Sequence, residues 1–277
     1  MNKIAVTGAR GKIGSLMVKR GWEPLYVDVT NAFGVEGSII KSSPALIFHL
    51  ASKSNVNWCE REENQAQLIA TNLRGAYNVF STAESYGIPV VIISSDHIYD
   101  GRRGNYREVE TKGKWPINQY GLSKLAVEGL AQSFDNVKII RTSTLFSPTR
   151  NLIRQYLEPL EHREEIQVPT FLSRSFMYIN DFVNALLRYA EHFYDMPKVL
   201  NISGGPKPVQ WYSFVCGMAD VFGLPKYCIK PQKDPDPNFD GAPRPHKAGL
   251  DISLARRLGI PCPDYMDGLR RMKADYV

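Results

Sequence analysis

The chain has 277 residues, of which 43% are hydrophobic and 22% charged, and it carries a formal net charge of +6. A chain of this size can bury a full hydrophobic core, either as one large domain or as a cofactor domain with a smaller lobe. Its Lys and Arg residues are scattered and form no motif of a known DNA- or RNA-binding module, so we expect no nucleic acid partner.

The sequence also bears on where the protein works. No apolar stretch approaches the ~20 residues of a membrane span. The first predicted strand begins at residue 3, which leaves no room for a secretory signal. The four cysteines, at positions 59, 216, 228 and 262, show neither metal-ligand spacing nor a disulfide pattern. We therefore expect a cytoplasmic protein with reduced thiols, no metal site and no membrane partner.

A glycine turn lies near the start of the chain. The apolar run Lys3–Thr7 is followed by Gly8, Gly11 and Gly14 and then by a helical stretch over residues 15–20. Glycines at such a turn let the backbone approach a pyrophosphate, and the helix that follows presents unpaired amides to the anion. A glycine triplet alone would also fit a flexible loop. Its place between a strand and a helix favours a dinucleotide cofactor site.

Apolar strands then alternate with helices. We predict buried strands over Ala45–Ala51, Val90–Ile93 and Val137–Ile140, a helix over Gln65–Tyr86, and a helix that carries Tyr120 and Lys124 and continues over Leu122–Phe134. Because the strands are continuously apolar, both faces of the sheet should be covered. The pattern predicts an α/β fold with a Rossmann-like, doubly wound parallel sheet, whose ligands bind at the carboxyl ends of the strands.

The character of the chain changes after residue 145, where prolines become frequent. We therefore divide the chain into a Rossmann domain over residues 1–145 and a smaller, substrate-binding C-terminal lobe over residues 146–277. The lobe is expected to interlace with the Rossmann sheet. Residues 230–245 should form a long irregular segment.

Tyr120 and Lys124 are four residues apart, which places them on one face of the predicted helix. A nearby ammonium group lowers the pKa of a phenol, and a shift from about 10 toward 7 requires roughly 4 kcal/mol. A lysine in a partly closed cleft can supply that energy. The pair therefore suits proton donation to a carbonyl, although an ordinary amphipathic helix could also carry it. Tyr194 and Lys198 share the spacing, but Pro197 would break a helix there, so we interpret that pair as a coincidence.

Polar residues follow the predicted strand at Val90, in the run Ser94–Gly101. The hydroxyl of Ser95 could donate to a substrate carbonyl, or these residues could simply satisfy the end of the strand. His97 could act as a second acid or base, as an epimerase would need, or as a hydrogen-bonded spacer, which we favour. His49 lies inside a predicted buried strand and is expected to be a core residue.

Together these segments resemble, in chain order, the extended short-chain dehydrogenase/reductase superfamily, and within it the dTDP-4-dehydrorhamnose reductase type. The resemblance covers nearly the whole chain. It is carried by Thr7–Gly14, Ala51–Glu60, Asn72–Gly75, Ser94–Gly101, Tyr120–Lys124, Arg141–Ser143, Arg244–Asp251 and Leu258–Gly259. The match that begins at Arg244 separates this branch from most other extended members.

The resemblance implies ketone reduction by hydride from a reduced nicotinamide, with a nucleotide sugar as the substrate. It implies that Tyr120 donates the proton, that Lys124 lowers the pKa of this tyrosine and binds the nicotinamide ribose, and that Ser95 holds the carbonyl. Both Tyr120 and Lys124 would also contact the cofactor. The other cofactor-binding residues implied are Gly8, Arg10, Gly11, Lys12, Ile13, Gly14, Asp28, Val29, Leu50, Ala51, Ser52, Asn72 and Ser94. The substrate contacts implied are Ser95, Asp96, His97, Thr144 and Arg244.

The chain departs from the rhamnose branch at two positions. His97 stands where that branch usually has an aromatic residue, and Thr144 where it usually has tryptophan, so the identity of the sugar is left open. The function indicated is reduction of a 4-keto-deoxy-sugar nucleotide, in polysaccharide biosynthesis. An epimerase or dehydratase of the same fold is an alternative, as is a non-catalytic regulatory or binding subunit. Relatives often pair through helices, so a homodimer is also an expectation.

The choice between NAD and NADP depends on two residues. Asp28 lies 20 residues after Gly8, where an acid would accept the ribose hydroxyls and favour NAD. However, Asp28–Thr30 also resembles a family segment that contacts adenine instead. Arg10, inside the glycine turn, could meet a 2′-phosphate. We therefore favour NADP(H) over NAD(H).

Overall fold

The structure is a computed structural model, and it describes residues 3–148, 151–235 and 241–276. The strands are β1 Ile4–Thr7, β2 Glu23–Leu25, β3 Leu46–His49, β4 Val90–Ser95, β5 Val137–Thr142, β6 Thr144–Phe146, β7 Ile166–Pro169, β8 Ser173–Arg174, β9 Phe176–Tyr178, β10 Val199–Asn201, β11 Val209–Gln210 and β12 Ile229–Gln232. The α-helices are α1 Lys12–Lys19, α2 Ala32–Ser42, α3 Val56–Glu60, α4 Gln65–Ile69, α5 Gly75–Ser85, α6 Gln119–Gln132, α7 Asn151–Glu161, α8 Ile179–Glu191, α9 Trp211–Phe222, α10 Ser253–Arg257 and α11 Tyr265–Tyr276.

Six strands form one parallel sheet in the order β10-β5-β4-β3-β1-β2. Neighbouring residues of a strand point to opposite faces, so Phe48 packs into one hydrophobic cluster and Ile47 into another. The first cluster also contains Met17 and Tyr189, and the second Val35. Helices thus cover both faces, which confirms the predicted Rossmann-like, doubly wound α/β fold.

The predicted strands and helices are present, with shifted ends. The helix that carries Tyr120 and Lys124 is α6, and it begins at Gln119 because the side chain of Asn118 accepts a hydrogen bond from the amide of Gly121. The predicted helix over 65–86 is interrupted between α4 and α5 by a π-helical turn, Ala70–Arg74. Such turns insert an extra residue into a helix and are frequent at functional sites.

The C-terminal half contributes to the sheet as well as to a lobe. Strand β10 adds to the sheet beside β5, and α8 packs against α1. The lobe contains the short strand pairs β7·β12, β6·β9 and β8·β11. The prediction of an irregular segment over 230–245 is wrong for Lys230–Gln232, which lie in β12 and pair with β7. Residues 236–240 of that segment lie outside the described residues. The division into two domains stays a prediction.

Within the described ranges, no helix combines the length and the apolar character needed to cross a bilayer. All four cysteines are free thiols, as expected from their spacing. The same part of the chain contains no cluster of His, Cys, Asp or Glu side chains suited to a metal ion.

Candidate active site

The glycine turn after β1 packs directly against the end of β3. Gly8 has a φ of +66°, and a Cβ there would lie 2.7 Å from the amide nitrogen of Ala51. A Cβ on Gly14 would lie 2.4 Å from the carbonyl oxygen of Gly8, so α1 can approach the turn this closely only with glycine at position 14. No side chain caps the start of α1 at Gly11. Its first amides therefore suit a phosphate, and the cradle of backbone around Gly8 fits a dinucleotide.

His49 helps to fix this turn. Its Nδ1 lies 2.8 Å from the Oγ1 of Thr7, which also accepts hydrogen bonds from the amides of Leu50 and Ala51 at 3.2 and 3.3 Å. Burial lowers the pKa of His49 to about 3, and the charge of Lys124 acts in the same direction. His49 is therefore a neutral core residue, as its place in a buried strand predicts.

The Tyr–Lys pair lies at the carboxyl edge of the sheet. The Nζ of Lys124 donates to the carbonyl of Ile93 at 3.0 Å and to the hydroxyl of Ser52 at 3.3 Å. It lies 5.8 Å from the ring centroid of Tyr120. Burial lowers the pKa of Lys124 to about 8, although nearby Cys59 acts to raise it. The structure thus brings the predicted pair together, beside the end of β4.

Asn72 ties this region to the loop after β3. Its side chain accepts from the amide of Lys53 at 2.7 Å and donates to the carbonyl of the same residue at 3.1 Å. It also donates to the hydroxyl of Ser123, on α6, at 3.0 Å. Asn72 lies in the π-helical turn, and from there its side-chain amide contacts both the loop after β3 and α6.

Ser95 lies at the end of β4, at the start of a tight turn. Its hydroxyl donates to the carboxylate of Asp96 and accepts from the amide of His97, each at 3.2 Å. Asp96 is buried and also accepts a hydrogen bond from the hydroxyl of Ser143, which follows β5. The buried hydroxyl of Ser94 has no hydrogen-bond partner among the described residues. The ends of β4 and β5 are therefore joined through hydroxyl and carboxylate groups.

His97 packs beside Tyr120. Their ring centroids are 5.4 Å apart at an interplanar angle of 72°. A Cβ on Gly121 would lie 2.2 Å from the carbonyl oxygen of His97, so glycine allows α6 to pack this closely on the turn. Burial lowers the pKa of His97 to about 4. The imidazole is therefore neutral at neutral pH, which agrees with a hydrogen-bonded spacer better than with a second acid.

A cavity of about 850 Å³ is lined by Ile117, which precedes Asn118, and by Pro243, whose carbonyl accepts a hydrogen bond from the Asn118 amide. Ser95, His97, Tyr120 and Lys124 are not among the described residues that line it. Its lining includes cationic or imidazole side chains, aromatic rings, amides and one carboxylate, namely Arg102, Arg244, His246, Lys247, Tyr156, Phe171, Gln167, Gln232 and Asp100, which pairs with Arg102 at 3.6 Å. Arg244 is held by its bonds to the carbonyl of Ala242 and the side chain of Asn57, both at 2.6 Å. The volume is that of a small-molecule site, and the charge suits an anionic ligand.

Arg174 is a residue that the sequence analysis missed. It is buried, and its Nη1 donates to the carbonyls of Ser173 and His246 at 2.8 and 3.3 Å. Burial lowers the pKa of Arg174, and the charge of Asp96 opposes that shift. No local pattern marks it, because His246 and Asp96, which surround its guanidinium, lie more than 70 positions away in the sequence.

The two residues that bear on cofactor choice lie away from this cavity. Arg10 is exposed, with its guanidinium 5.2 Å from the ring centroid of Tyr26. The carboxylate of Asp28 accepts from the amide and the hydroxyl of Thr30 at 3.0 and 2.8 Å, and these bonds lower its pKa. Asp28 is therefore already engaged by its own turn.

The remaining predicted residues are distributed as follows. Leu50, Ala51 and Ser52 follow β3, Lys12 and Ile13 begin α1, Val29 is buried beside Gly75, and the amide of Thr144 donates to the carbonyl of Ser175.

A family model described as the RmlD substrate binding domain matches residues 1–277. The chain belongs to this family. The resemblance to the dTDP-4-dehydrorhamnose reductase type, predicted from the motifs, is thereby confirmed.

The relatives to which this chain is similar include both a reductase and a subunit of another enzyme. The chain is 25% identical over 279 residues to the methionine adenosyltransferase 2 subunit beta of Xenopus tropicalis, covering 92% of this chain and 82% of that protein. It is also 25% identical over 293 residues to the dTDP-4-dehydrorhamnose reductase of Sinorhizobium fredii, covering 98% and 96%. The crystal structure of dTDP-4-dehydrorhamnose reductase from Bacillus anthracis in complex with NADP superimposes with a TM-score of 0.86, at 22% identity and 99% coverage of both chains. This last likeness shows the shared fold.

Proposed function

We propose that the protein is an NAD(P)H-dependent reductase acting on the keto group of a 4-keto-deoxy-sugar nucleotide, in polysaccharide biosynthesis. The observation that carries the proposal is the buried ammonium of Lys124 beside the ring of Tyr120, at the carboxyl edge of the sheet. The described residues also form a glycine turn that suits a phosphate and a large cationic cavity. A reductase of a nucleotide sugar needs all three.

A reduced nicotinamide cofactor would supply the hydride when bound. Tyr120 donates a proton to the carbonyl oxygen, and the charge of Lys124 stabilises the phenolate that remains. Ser95, whose hydroxyl is oriented by Asp96 and by the amide of His97, holds the carbonyl oxygen. The cofactor would be held by the glycine turn and the start of α1. Ser52 accepts a hydrogen bond from Lys124, and Asn72 donates to Ser123, the residue before Lys124.

The cavity supports a diphosphate-bearing substrate. Arg102, Arg244 and Lys247 line it, and its volume of about 850 Å³ is ample for a nucleoside diphosphate. Guanidinium groups bind phosphate oxygens well because their N–H donors form a rigid fork. The buried Arg174 adds a further positive charge near Asp96. These features support a nucleotide sugar as the ligand, with the base and the sugar left open.

We propose NADP(H) as the preferred cofactor. The exposed guanidinium of Arg10 could contact a 2′-phosphate, since it lies in the glycine turn. One oxygen of the Asp28 carboxylate, Oδ1, accepts both bonds from Thr30, so the preference rests on Arg10 and not on Asp28. Location in the cytoplasm and assembly as a homodimer stay predictions.

A second candidate is a non-catalytic regulatory subunit, because six relatives at 23–25% identity are named methionine adenosyltransferase 2 subunit beta. The presence of Ser95, Tyr120 and Lys124 together argues against it, since a pure binding subunit has no need of all three. An epimerase or dehydratase would recycle its cofactor and consume none.

The test is to incubate the purified protein with a panel of 4-keto sugar nucleotides and NADPH and to follow the nicotinamide absorbance. We expect steady consumption of NADPH with at least one of them. Tyr120→Phe should lower turnover about a hundredfold or more with nearly unchanged cofactor affinity. Tyr194→Phe is the matched control, because Tyr194 is 84% exposed and should leave turnover unchanged. Equal activity of the Tyr120→Phe variant, or no consumption with any substrate, would refute the proposal.

A further inference from the structure

The orientation of the Asn118 amide is fixed by two partners other than His97. Its Oδ1 accepts from the amide of Gly121 at 2.8 Å, and its Nδ2 donates to the carbonyl of Pro243 at 2.9 Å. Exchanging the two atoms would place an amide oxygen against a carbonyl and an amide nitrogen against an N–H donor. The network thus decides the assignment of oxygen and nitrogen in this side chain.

This orientation determines which nitrogen of His97 carries a proton. The Nδ2 of Asn118 also lies 3.1 Å from the Nδ1 of His97. Since Nδ2 can only donate, Nδ1 must accept, and a neutral imidazole that accepts at Nδ1 carries its proton at Nε2. His97 is therefore an Nε2–H donor.

The Nε2 has no hydrogen-bond partner among the described residues and is not among their fully enclosed unpaired polar atoms. The backbone of His97 is held by Ser95, and its ring packs against Tyr120. The ring that carries this donor therefore lies in the turn directly after β4 and packs against Tyr120, one of the two residues that would bind a carbonyl oxygen.

The environment of His97 acts on its pKa in both directions. Burial is the largest influence on the pKa of His97 and lowers it. The positive charges of Arg174 and Arg244 act in the same direction, while Asp96 and the contact with Asn118 act to raise it.

We propose that Asn118 holds His97 as a neutral Nε2–H donor that positions an oxygen of the substrate beside the carbonyl and transfers no proton. This rests on the proposed function, and it assigns His97 a positioning role and Asn118 the role of setting the tautomer. A site built around such a donor discriminates against substrates that lack the matching oxygen, because the donor is then left unpaired.

The tautomer can be measured directly by two-bond ¹H–¹⁵N correlation spectra of protein labelled with ¹⁵N-histidine. The chain contains five histidines, and the signals of His97 are those lost in His97→Gln. We expect Nδ1 without a proton and Nε2 with one, unchanged between about pH 8 and 5. An Nδ1–H tautomer, or protonation near the ordinary histidine pKa of about 6.5, would overturn the proposal.

Asn118→Asp replaces the amide donor that faces the Nδ1 of His97 with a carboxylate oxygen, which can only accept a hydrogen bond. Aspartate also caps helices well, so α6 should remain intact, but its carboxylate would accept a proton from Nδ1. The tautomer should reverse and His97 should titrate at higher pH. Asn55→Asp is the control, because Asn55 caps α3 by accepting from the amide of Trp58 and its cap includes no histidine. Unchanged His97 signals in Asn118→Asp would overturn the proposal.

Activity gives an independent measurement with the sugar nucleotide that the wild type reduces. His97→Gln, which can place an amide donor near Nε2, should keep kcat/KM within about threefold, and His97→Phe should lose about tenfold or more. Equal rates for these two variants would overturn the positioning role. If a limb of the wild-type pH–rate profile disappears in His97→Gln, His97 does transfer a proton and the proposal is wrong. If the wild type reduces no substrate of the panel, the proposed function fails, while the spectra still decide the tautomer.

Discussion

Arg141 and Glu128 form a bidentate ion pair inside the protein. The Nε and Nη2 of Arg141 donate to the two carboxylate oxygens at 2.8 and 2.7 Å, and the side chains are 1% and 3% exposed. The remaining nitrogen, Nη1, donates to the hydroxyl of Tyr99 and the carbonyl of Glu108, both at 3.0 Å. Because Glu128 lies one turn after Lys124 on α6 and Arg141 lies on β5, the pair fastens the helix of the candidate site to the sheet.

Glu128→Gln should lower the free energy of unfolding by about 3–5 kcal/mol, because the guanidinium of Arg141 would remain buried without its counter-charge. Urea unfolding would measure the loss. Glu158→Gln is the control, since Glu158 pairs with Arg154 on the surface, where a pair contributes less than about 1 kcal/mol. Similar losses for both variants would show that the buried pair contributes no more than an exposed one.

Two glycines of α6 offer a matched test of how closely this helix packs on the turn at His97. A Cβ on Gly121 would lie 2.2 Å from the carbonyl oxygen of His97, while a Cβ on Gly129 would meet nothing within 4 Å. Gly121→Ala should therefore destabilise the protein by about 1–3 kcal/mol and lower turnover, since Tyr120 must move with the helix. Gly129→Ala should stabilise it by up to about 1 kcal/mol through helix propensity. Thermal unfolding measures both, and a stable Gly121→Ala variant would contradict the packing.

His49 should make stability depend on pH. Its pKa is about 3 in the folded protein and 6.5 in an unperturbed histidine. As the pH falls from 6.5 toward 3, the unfolded chain binds a proton that the folded protein refuses, so stability is lost at up to about 1.4 kcal/mol per pH unit. The His49→Asn variant keeps a polar group near Thr7 but has no imidazole to protonate there, so its free energy of unfolding should not fall with pH for this reason. The difference in unfolding free energy between wild type and variant should shrink from pH 7 to pH 4, and a constant difference would contradict it.

Arg10→Gln tests the cofactor preference. We expect the Kd for NADPH to rise about tenfold or more, because a charged hydrogen bond to the 2′-phosphate would be lost, with little change for NADH. Fluorescence titration of both cofactors would measure this. Arg20→Gln is the control, since Arg20 bonds to Asn184, away from the glycine turn. A wild-type preference for NADH would refute the assignment.

Sequence patterns were sufficient for the features that depend on near neighbours. The glycine turn, the apolar strands and the spacing of Tyr120 and Lys124 all follow from periods of two to four residues. The spacing of the pair predicts a helix that continues over Leu122–Phe134 but gives no first residue, which the Asn118 cap sets at Gln119. That signal was available, since asparagine is a preferred cap.

Other features depend on contacts between distant parts of the chain. The strand at Lys230 was missed because it pairs with β7, some 60 residues earlier, and its four residues carry no clear alternation. The same applies to Arg174 and to the bond between Asn118 and His97, which depend on how separate loops meet. The periodicity of a sequence gives no information about such tertiary contacts.

Strand β10 completes the sheet from late in the chain, and this affects how the protein can be divided. A fragment that stops near residue 145 would leave β5 without its outer neighbour, so its backbone donors and acceptors would face solvent along an apolar strand. Such an open border invites pairing with other chains and aggregation. During synthesis on the ribosome, more than fifty residues must follow position 145 before β10 is available to complete the sheet of the Rossmann half.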